Sequence, residues 1–184
     1  MTRSENTTMM QMVIFTEAFF FLCLIMAFIY MAYNTGFEPH ELSRLDIRTA
    51  GVFTVVLIAS SFTLHFAEKG YARGKPGMMK GWLIVTILLG AIFLAGQGSE
   101  YVRLIRDNIT LNGSVFGASF FTLTGFHGLH VLIGLVILCI ILALAFLRDA
   151  KSAIGTVALY WHFVDVVWIF VFTVVYVLPQ FSTI

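Results

Sequence analysis

The stretch that decides the fold is VFGASFFTLTGFHGLHVLIGLVILCIILALAFL, residues 115–147, which contains no charged residue. As an α-helix it would be about 50 Å long, which exceeds the ~30 Å hydrocarbon core of a bilayer. Two histidines, His127 and His130, interrupt it three positions apart. This length and hydropathy predict a transmembrane helix that tilts or projects beyond the bilayer at one end.

The composition of the whole chain agrees with a membrane protein, because 59% of its 184 residues are hydrophobic and only 11% are charged. Five apolar runs predict spans at about 11–33, 50–67, 81–102, 115–147 and 154–178. We therefore predict an all-α integral membrane protein, a single domain over residues 1–184 that forms a bundle of five transmembrane helices. The net charge of +1 without a basic tract argues against a nucleic-acid partner.

The distribution of basic residues predicts the direction of the helices. One side of the membrane would hold seven of them, Arg3, Lys69, Arg73, Lys75, Lys80, Arg148 and Lys151, and the other side four, Arg44, Arg48, Arg103 and Arg106. Cytoplasmic loops carry an excess of Lys and Arg. The N-terminus is therefore expected inside and the C-terminus outside.

Polar residues at membrane depth are the candidate functional residues, because a charged group there costs about 2.5–3.5 kcal/mol unless it faces protein or water. The candidates are Glu17, Glu100, His127, His130, His162 and Asp165. Glu17 lies in VIFTEAFFFLCL, where desolvation favours the neutral acid. It is either a proton-handling or reactive carboxyl, or a neutral carboxyl that is hydrogen-bonded to a neighbouring helix.

The two histidine motifs each allow two interpretations. His127 and His130 share a helix face and could ligate a metal or a haem, but His162 begins its span from the opposite membrane face, so hydrogen bonds between helices are favoured. In YWHFVDVVW, residues 160–168, His162 and Asp165 lie one turn apart. They form either a buried pair or part of a proton relay.

The third span has features of a packing helix. Ala91, Ala95 and Ser99 form a stripe of small residues, which predicts close contact with another helix. Gln97 and Glu100 are expected at its outer end.

Several long motifs resemble subunit III of the haem–copper terminal oxidases. They are GSEYVRL, NGSVFGASFFTLTGFHGLHVLIG, YWHFVDVVWIFVF, FTEAFFF and SSFTLHFAEKG, and they follow the family order over nearly the whole chain. The resemblance places Glu17 at the position of the family glutamate that reacts with carbodiimides. It also implies that His127 and His130 are structural residues and that this chain binds no metal.

The resemblance also implies a function and partners. The expected protein is a non-catalytic subunit in the bacterial cytoplasmic membrane, packed mainly against subunit I and also near subunit II and small subunits. The catalytic partner would hold the haems and copper, reduce oxygen to water and pump protons, while this subunit supports proton uptake and protects against inactivation. The alternatives are an accessory subunit of a nitric-oxide reductase or, in a different class, a self-sufficient haem-binding or proton-conducting membrane protein.

The chain departs from the seven-helix form of the family in a feature that concerns lipid binding. The chain resembles the five-helix form of the family, which lacks the first two helices of the seven-helix form. Arg148, in AFLRDAKS, matches an arginine that contacts a phospholipid headgroup in the larger form. It is expected to bind a headgroup or to act as an anchor at the inner interface.

Overall fold

The computed structural model describes residues 3–147 and 154–179, and this part of the chain contains helices and no strand. The helices are α1 (Arg3–Asn34), α2 (Pro39–Leu42), α3 (Ile47–Ala72), α4 (Pro76–Arg106), α5 (Val115–Leu147) and α6 (Ile154–Phe172), which continues into a π-helical turn (Thr173–Val177). All except the short α2 are long and apolar enough to cross a bilayer. The prediction of an all-helical fold with five candidate spans is therefore confirmed for the described residues.

The ends of the helices follow from local sequence signals. Asp46 caps the N-terminus of α3, where its side chain accepts hydrogen bonds from the backbone N–H groups of Arg48 and Thr49, both at 3.1 Å. Pro76 occupies the first position of α4, where a missing N–H costs nothing. Helix α4 therefore begins before the apolar run that predicted it, because capping rather than hydropathy sets a helix end.

Helix α6 occupies the centre of the bundle. It packs against α3, α5 and α1, while α3 and α4 form a closely packed hairpin and α5 also contacts α4 and α1. Helix α1 is peripheral, since Phe21 and Phe28 are the only side chains buried along residues 7–34. The remaining apolar surface of α1 therefore faces the surroundings of the subunit.

Trp161 of α6 connects the three helices around it. Its ring lies so close to Gly90 of α4 and Gly134 of α5 that a Cβ atom at either glycine would come within 2.8 and 2.9 Å of it, respectively. Its indole N–H donates to Ser60 Oγ of α3 at 3.0 Å. Glycines are needed here because only a residue without a side chain leaves room for the indole.

The predicted stripe of small residues on α4 faces away from the other helices of this chain. Ala91, Ala95 and Ser99 are all exposed. The close contacts of α4 are instead made by Gly90, and by Gly96 beside the ring of Phe53. A small residue permits close approach, but the neighbour that uses it depends on how the helix is rotated in the bundle.

Candidate functional site: polar contacts between the helices

Glu17 and His130 join α1 to α5. Glu17 Oε2 lies 3.0 Å from His130 Nε2, and His130 Nδ1 lies 2.7 Å from the carbonyl oxygen of Phe126. Because a carbonyl oxygen can only accept, Nδ1 must carry a hydrogen, and Nε2 faces the carboxyl group. One proton is therefore shared between the two side chains, either as glutamic acid donating to neutral imidazole or as imidazolium donating to carboxylate.

The Glu17–His130 pair is only partly shielded. The side chain of Glu17 is 33% exposed and that of His130 11% exposed. Glu17 thus lies at the edge of the bundle, where a reagent in the lipid phase can reach it. The contact agrees with a carboxyl that is hydrogen-bonded to a neighbouring helix, and the reactivity of Glu17 stays a prediction.

His127 differs from the expectation that it forms a polar contact between helices. It is completely buried, and neither ring nitrogen has a hydrogen-bond partner among the residues that the structure describes. Its ring centroid lies 4.7 Å from that of Trp168, 6.0 Å from that of Phe93 and 6.4 Å from that of Phe21. His127 therefore packs among aromatic rings at the point where α1, α4, α5 and α6 meet.

The histidines do not converge on one site. His130 is directed to Glu17, His127 is enclosed by aromatic rings, and His162 bonds to Ser61 of α3 at 2.8 Å from Nδ1 to Oγ. Within residues 3–147 and 154–179, no group of three or more His, Cys, Asp or Glu side chains is placed to hold a metal ion.

His162 and Asp165 are linked through Ser61, a residue that the sequence reasoning missed. The Ser61 hydroxyl also bonds to Asp165 Oδ2. The pair expected on one helix is therefore a trio that joins α6 to α3. The sequence does contain a signal for this contact, because Ser60 and Ser61 place two adjacent hydroxyl groups in an apolar run. The sequence does not show which neighbouring helix these hydroxyl groups face.

Glu100 holds the other end of the bundle together. Tyr176 in the π-helical turn donates to Glu100 Oε2 at 2.8 Å, and Arg103 Nη2 lies 3.2 Å from Glu100 Oε1. Arg103 Nη1 also lies 3.5 Å from the carboxylate of Asp46. Glu100 thereby joins α4 to α6 directly and to the start of α3 through Arg103.

Gln97 and Arg148 are the remaining residues with a predicted role. Gln97 donates from Nε2 to the carbonyl oxygen of Thr124 at 2.8 Å, so it joins α4 to α5 near the Glu100 end. Arg148 lies outside the described residues, and its role as a headgroup ligand or interface anchor stays a prediction.

Comparisons with known proteins show the family of this chain. The family model described as cytochrome c oxidase subunit III matches residues 3–180. Similar proteins include the probable cytochrome c oxidase subunit 3 of Nocardia farcinica, which is 37% identical over 88% of this chain and 82% of the relative. The cytochrome c oxidase subunit 3 of Corynebacterium diphtheriae is 44% identical over 72% of this chain and 67% of the relative.

A cyanobacterial relative extends the same similarity. The cytochrome c oxidase subunit 3 of Synechocystis sp. is 36% identical over 88% of this chain and 71% of the relative. The matches cover the helices that carry Glu17, Glu100, His130 and Asp165. The chain belongs to the cytochrome c oxidase subunit III family.

Proposed function

We propose that this chain is the non-catalytic subunit of a respiratory haem–copper oxygen reductase, where it packs against subunit I and supports proton uptake and stability during turnover. The observation that carries the proposal is that three of the carboxyl groups at membrane depth form hydrogen bonds between helices. Glu17 bonds to His130, Asp165 to Ser61, and Glu100 to Tyr176. Groups engaged in this way stabilise a bundle, and the haems and copper would be held by the catalytic partner.

The exposed surface of α1 supports an assembly role. Phe15 is 76% exposed and Phe19 is 64% exposed, and both lie within the candidate span Thr7–Asn34. Helices associate in membranes through van der Waals packing and hydrogen bonds between them, and this face offers apolar area for packing. Subunit I is the main proposed contact, with subunit II, small subunits and membrane phospholipid as further neighbours.

The basic residues support the proposed direction and membrane. Lys69, Arg73, Lys75 and Lys80 lie at or near the turn between α3 and α4, whereas Arg44, Arg48, Arg103 and Arg106 lie toward the other side. The full count in the sequence is seven basic residues against four, which under the positive-inside rule favours a cytoplasmic N-terminus and an outer C-terminus. The bacterial relatives favour the cytoplasmic membrane of a bacterium.

The proposed electron acceptor and donor rest on the names of the relatives rather than on residues of this chain. The similar proteins are named as subunits of cytochrome c oxidases, which favours oxygen over nitric oxide and cytochrome c over quinol. The alternative is that the complex is a nitric-oxide reductase. The purification described next distinguishes the two.

The experiment is purification of the complex through an affinity tag on this chain. We expect a haem–copper catalytic subunit to co-purify and the preparation to consume oxygen. A matched preparation from which this chain is removed should begin turnover at a similar rate and lose activity sooner. A preparation that reduces nitric oxide but not oxygen, or a purified lone chain with stoichiometric haem, would contradict the proposal.

A further inference from the structure

The hydroxyl of Ser61 connects two titratable side chains that do not bond to each other directly. Its oxygen bonds to Asp165 Oδ2 and lies 2.8 Å from His162 Nδ1. A serine hydroxyl has a single hydrogen, so it donates to one partner and accepts from the other. The three groups therefore form a hydrogen-bonded chain in which every link has a direction.

The chain has two arrangements that differ by the position of one proton. In the uncharged arrangement, the acid O–H of Asp165 donates to Ser61 Oγ, and the Ser61 hydroxyl donates to His162 Nδ1. When the Asp165 proton moves to Ser61 while the Ser61 proton moves to His162, the products are carboxylate, an intact hydroxyl and imidazolium. No other atom or electron pair is exchanged, and His162 can then release its Nε2 proton.

One end of this chain approaches the surface. His65 follows Ser61 by one turn of α3, has a side chain that is 53% exposed, and lies close enough to His162 to interact with it electrostatically. Glu68 follows, with Oε2 3.9 Å from His65 Nδ1. Both histidine side chains are partly exposed on the outside of the bundle. Polar groups thus continue from Asp165 to the end of α3.

The other end is closed. Asp165 is 5% exposed, and its Oδ1 has no hydrogen-bond partner among the described residues. His127 of α5 packs against Trp168 of α6, and neither of its ring nitrogens has a hydrogen-bond partner among the described residues. Two further polar groups on or beside α6 bond to other partners. Tyr160 donates to the carbonyl oxygen of His130 beside Glu17, and Glu100 of α4 bonds to Tyr176, three turns beyond Asp165. The relay therefore ends at Asp165, about 17 Å into α6 at ~1.5 Å per residue.

We propose that Asp165 is a proton-exchange site within this subunit, loaded and unloaded through Ser61 and His162 from the membrane face where α3 ends and α6 begins. The site has one opening, so it takes up and returns protons without conducting them across the bilayer. This inference concerns the chain itself and does not depend on which acceptor the complex reduces.

The test is infrared spectroscopy of the purified complex at pH 7 during transfer from H2O to D2O. We expect a protonated carboxyl C=O band that disappears in Asp165→Asn and shifts on deuteration. In Ser61→Ala the band should remain, and its shift should be at least tenfold slower because the relay is broken. Ser61→Thr keeps the hydroxyl and should exchange at the wild-type rate.

Ser60→Ala is the matched control, because Ser60 is the neighbouring hydroxyl but bonds to Trp161 instead. In Ser60→Ala the carboxyl C=O band of Asp165 should shift at the wild-type rate. His162→Gln gives a second break in the relay if Ser61→Ala does not assemble, and the haem spectrum checks assembly. A wild-type complex without an Asp165 carboxylic band, or a relay variant that exchanges as fast as wild type, would overturn the proposal.

Discussion

At the scale of single residues, the accessible carboxyl of Glu17 leads to the first prediction. A hydrophobic carbodiimide reacts with a protonated carboxyl, and Glu17 shares a proton with His130 while one third of its side chain is exposed. We expect labelling of this subunit in the assembled complex to be lost in Glu17→Gln, as measured by mass spectrometry. Oxygen reduction should persist, since the proposed redox centres lie in the partner.

Glu68→Gln provides the control for that labelling. The Glu68 side chain is 30% exposed, close to the 33% of Glu17, but it lies near the end of α3. The variant should label as wild type does. Unchanged labelling in Glu17→Gln would show that another carboxyl reacts, and complete loss of oxygen reduction in an assembled Glu17→Gln complex would contradict the supporting role.

Asp46 leads to a prediction about pH. The Thr49 hydroxyl, at 2.6 Å, together with backbone N–H groups and Arg103, lowers the pKa of Asp46 below its usual 3.8. A carboxylate with a lowered pKa stabilises the fold above 3.8, and this contribution is lost as the pH falls through the folded pKa. We expect Asp46→Asn to speed amide hydrogen exchange in the first turn of α3 at pH 7, and we expect its difference from wild type to shrink as the pH falls below 3.8.

Asp46→Ala separates the cap from the charge. Asparagine still accepts a backbone N–H at this position, whereas alanine removes the cap and should destabilise the first turn by about 1 kcal/mol. Exchange at pH 7 should therefore be fastest in Asp46→Ala. If the difference between Asp46→Asn and wild type does not shrink as the pH falls below 3.8, the charge of Asp46 is not responsible.

At the scale of helices, the fit of Trp161 between α4 and α5 leads to a prediction about packing. A Cβ atom in Gly90→Ala would lie 2.8 Å from the indole of Trp161, and one in Gly134→Ala would lie 2.9 Å from it. Overpacking of this kind costs about 1–3 kcal/mol. We expect both variants to unfold at lower temperature in detergent than the wild-type complex.

Gly81→Ala is the matched control on α4, because a Cβ atom there meets nothing within 4 Å. Alanine is a better helix former than glycine by about 1 kcal/mol, so this variant should be as stable as wild type or more so. Equal stability of Gly90→Ala and Gly81→Ala would show that α6 can shift away from α4 without cost.

At the scale of the whole molecule, the exposed face of α1 leads to a prediction about the complex. Phe15, Phe19 and Met26 are 76%, 64% and 57% exposed, so this helix presents an apolar face that the described residues of this chain do not cover. We expect a map of the complex to show protein on this side, as extra helices of the catalytic subunit or a separate small subunit. A catalytic subunit of twelve spans with only lipid along α1 would contradict this prediction.

The helices and the family can be predicted from the amino-acid sequence alone. Apolar runs long enough to cross a bilayer leave the backbone no alternative to a helix, because every N–H and C=O must be satisfied within the segment. The motifs around Glu17, His130 and Asp165 are long enough to identify subunit III without any contact being known. These properties are local, so they can be read from consecutive residues.

Only the tertiary structure decided which polar groups meet. His127 and His130 look equivalent in the sequence, yet one is enclosed by aromatic rings and the other bonds to Glu17, which lies 113 positions away. Ser61 enters between His162 and Asp165 in the same way, from a different helix. Hydropathy cannot predict such pairings, because every face of these helices is apolar and the rotation of each helix is set by packing against its neighbours.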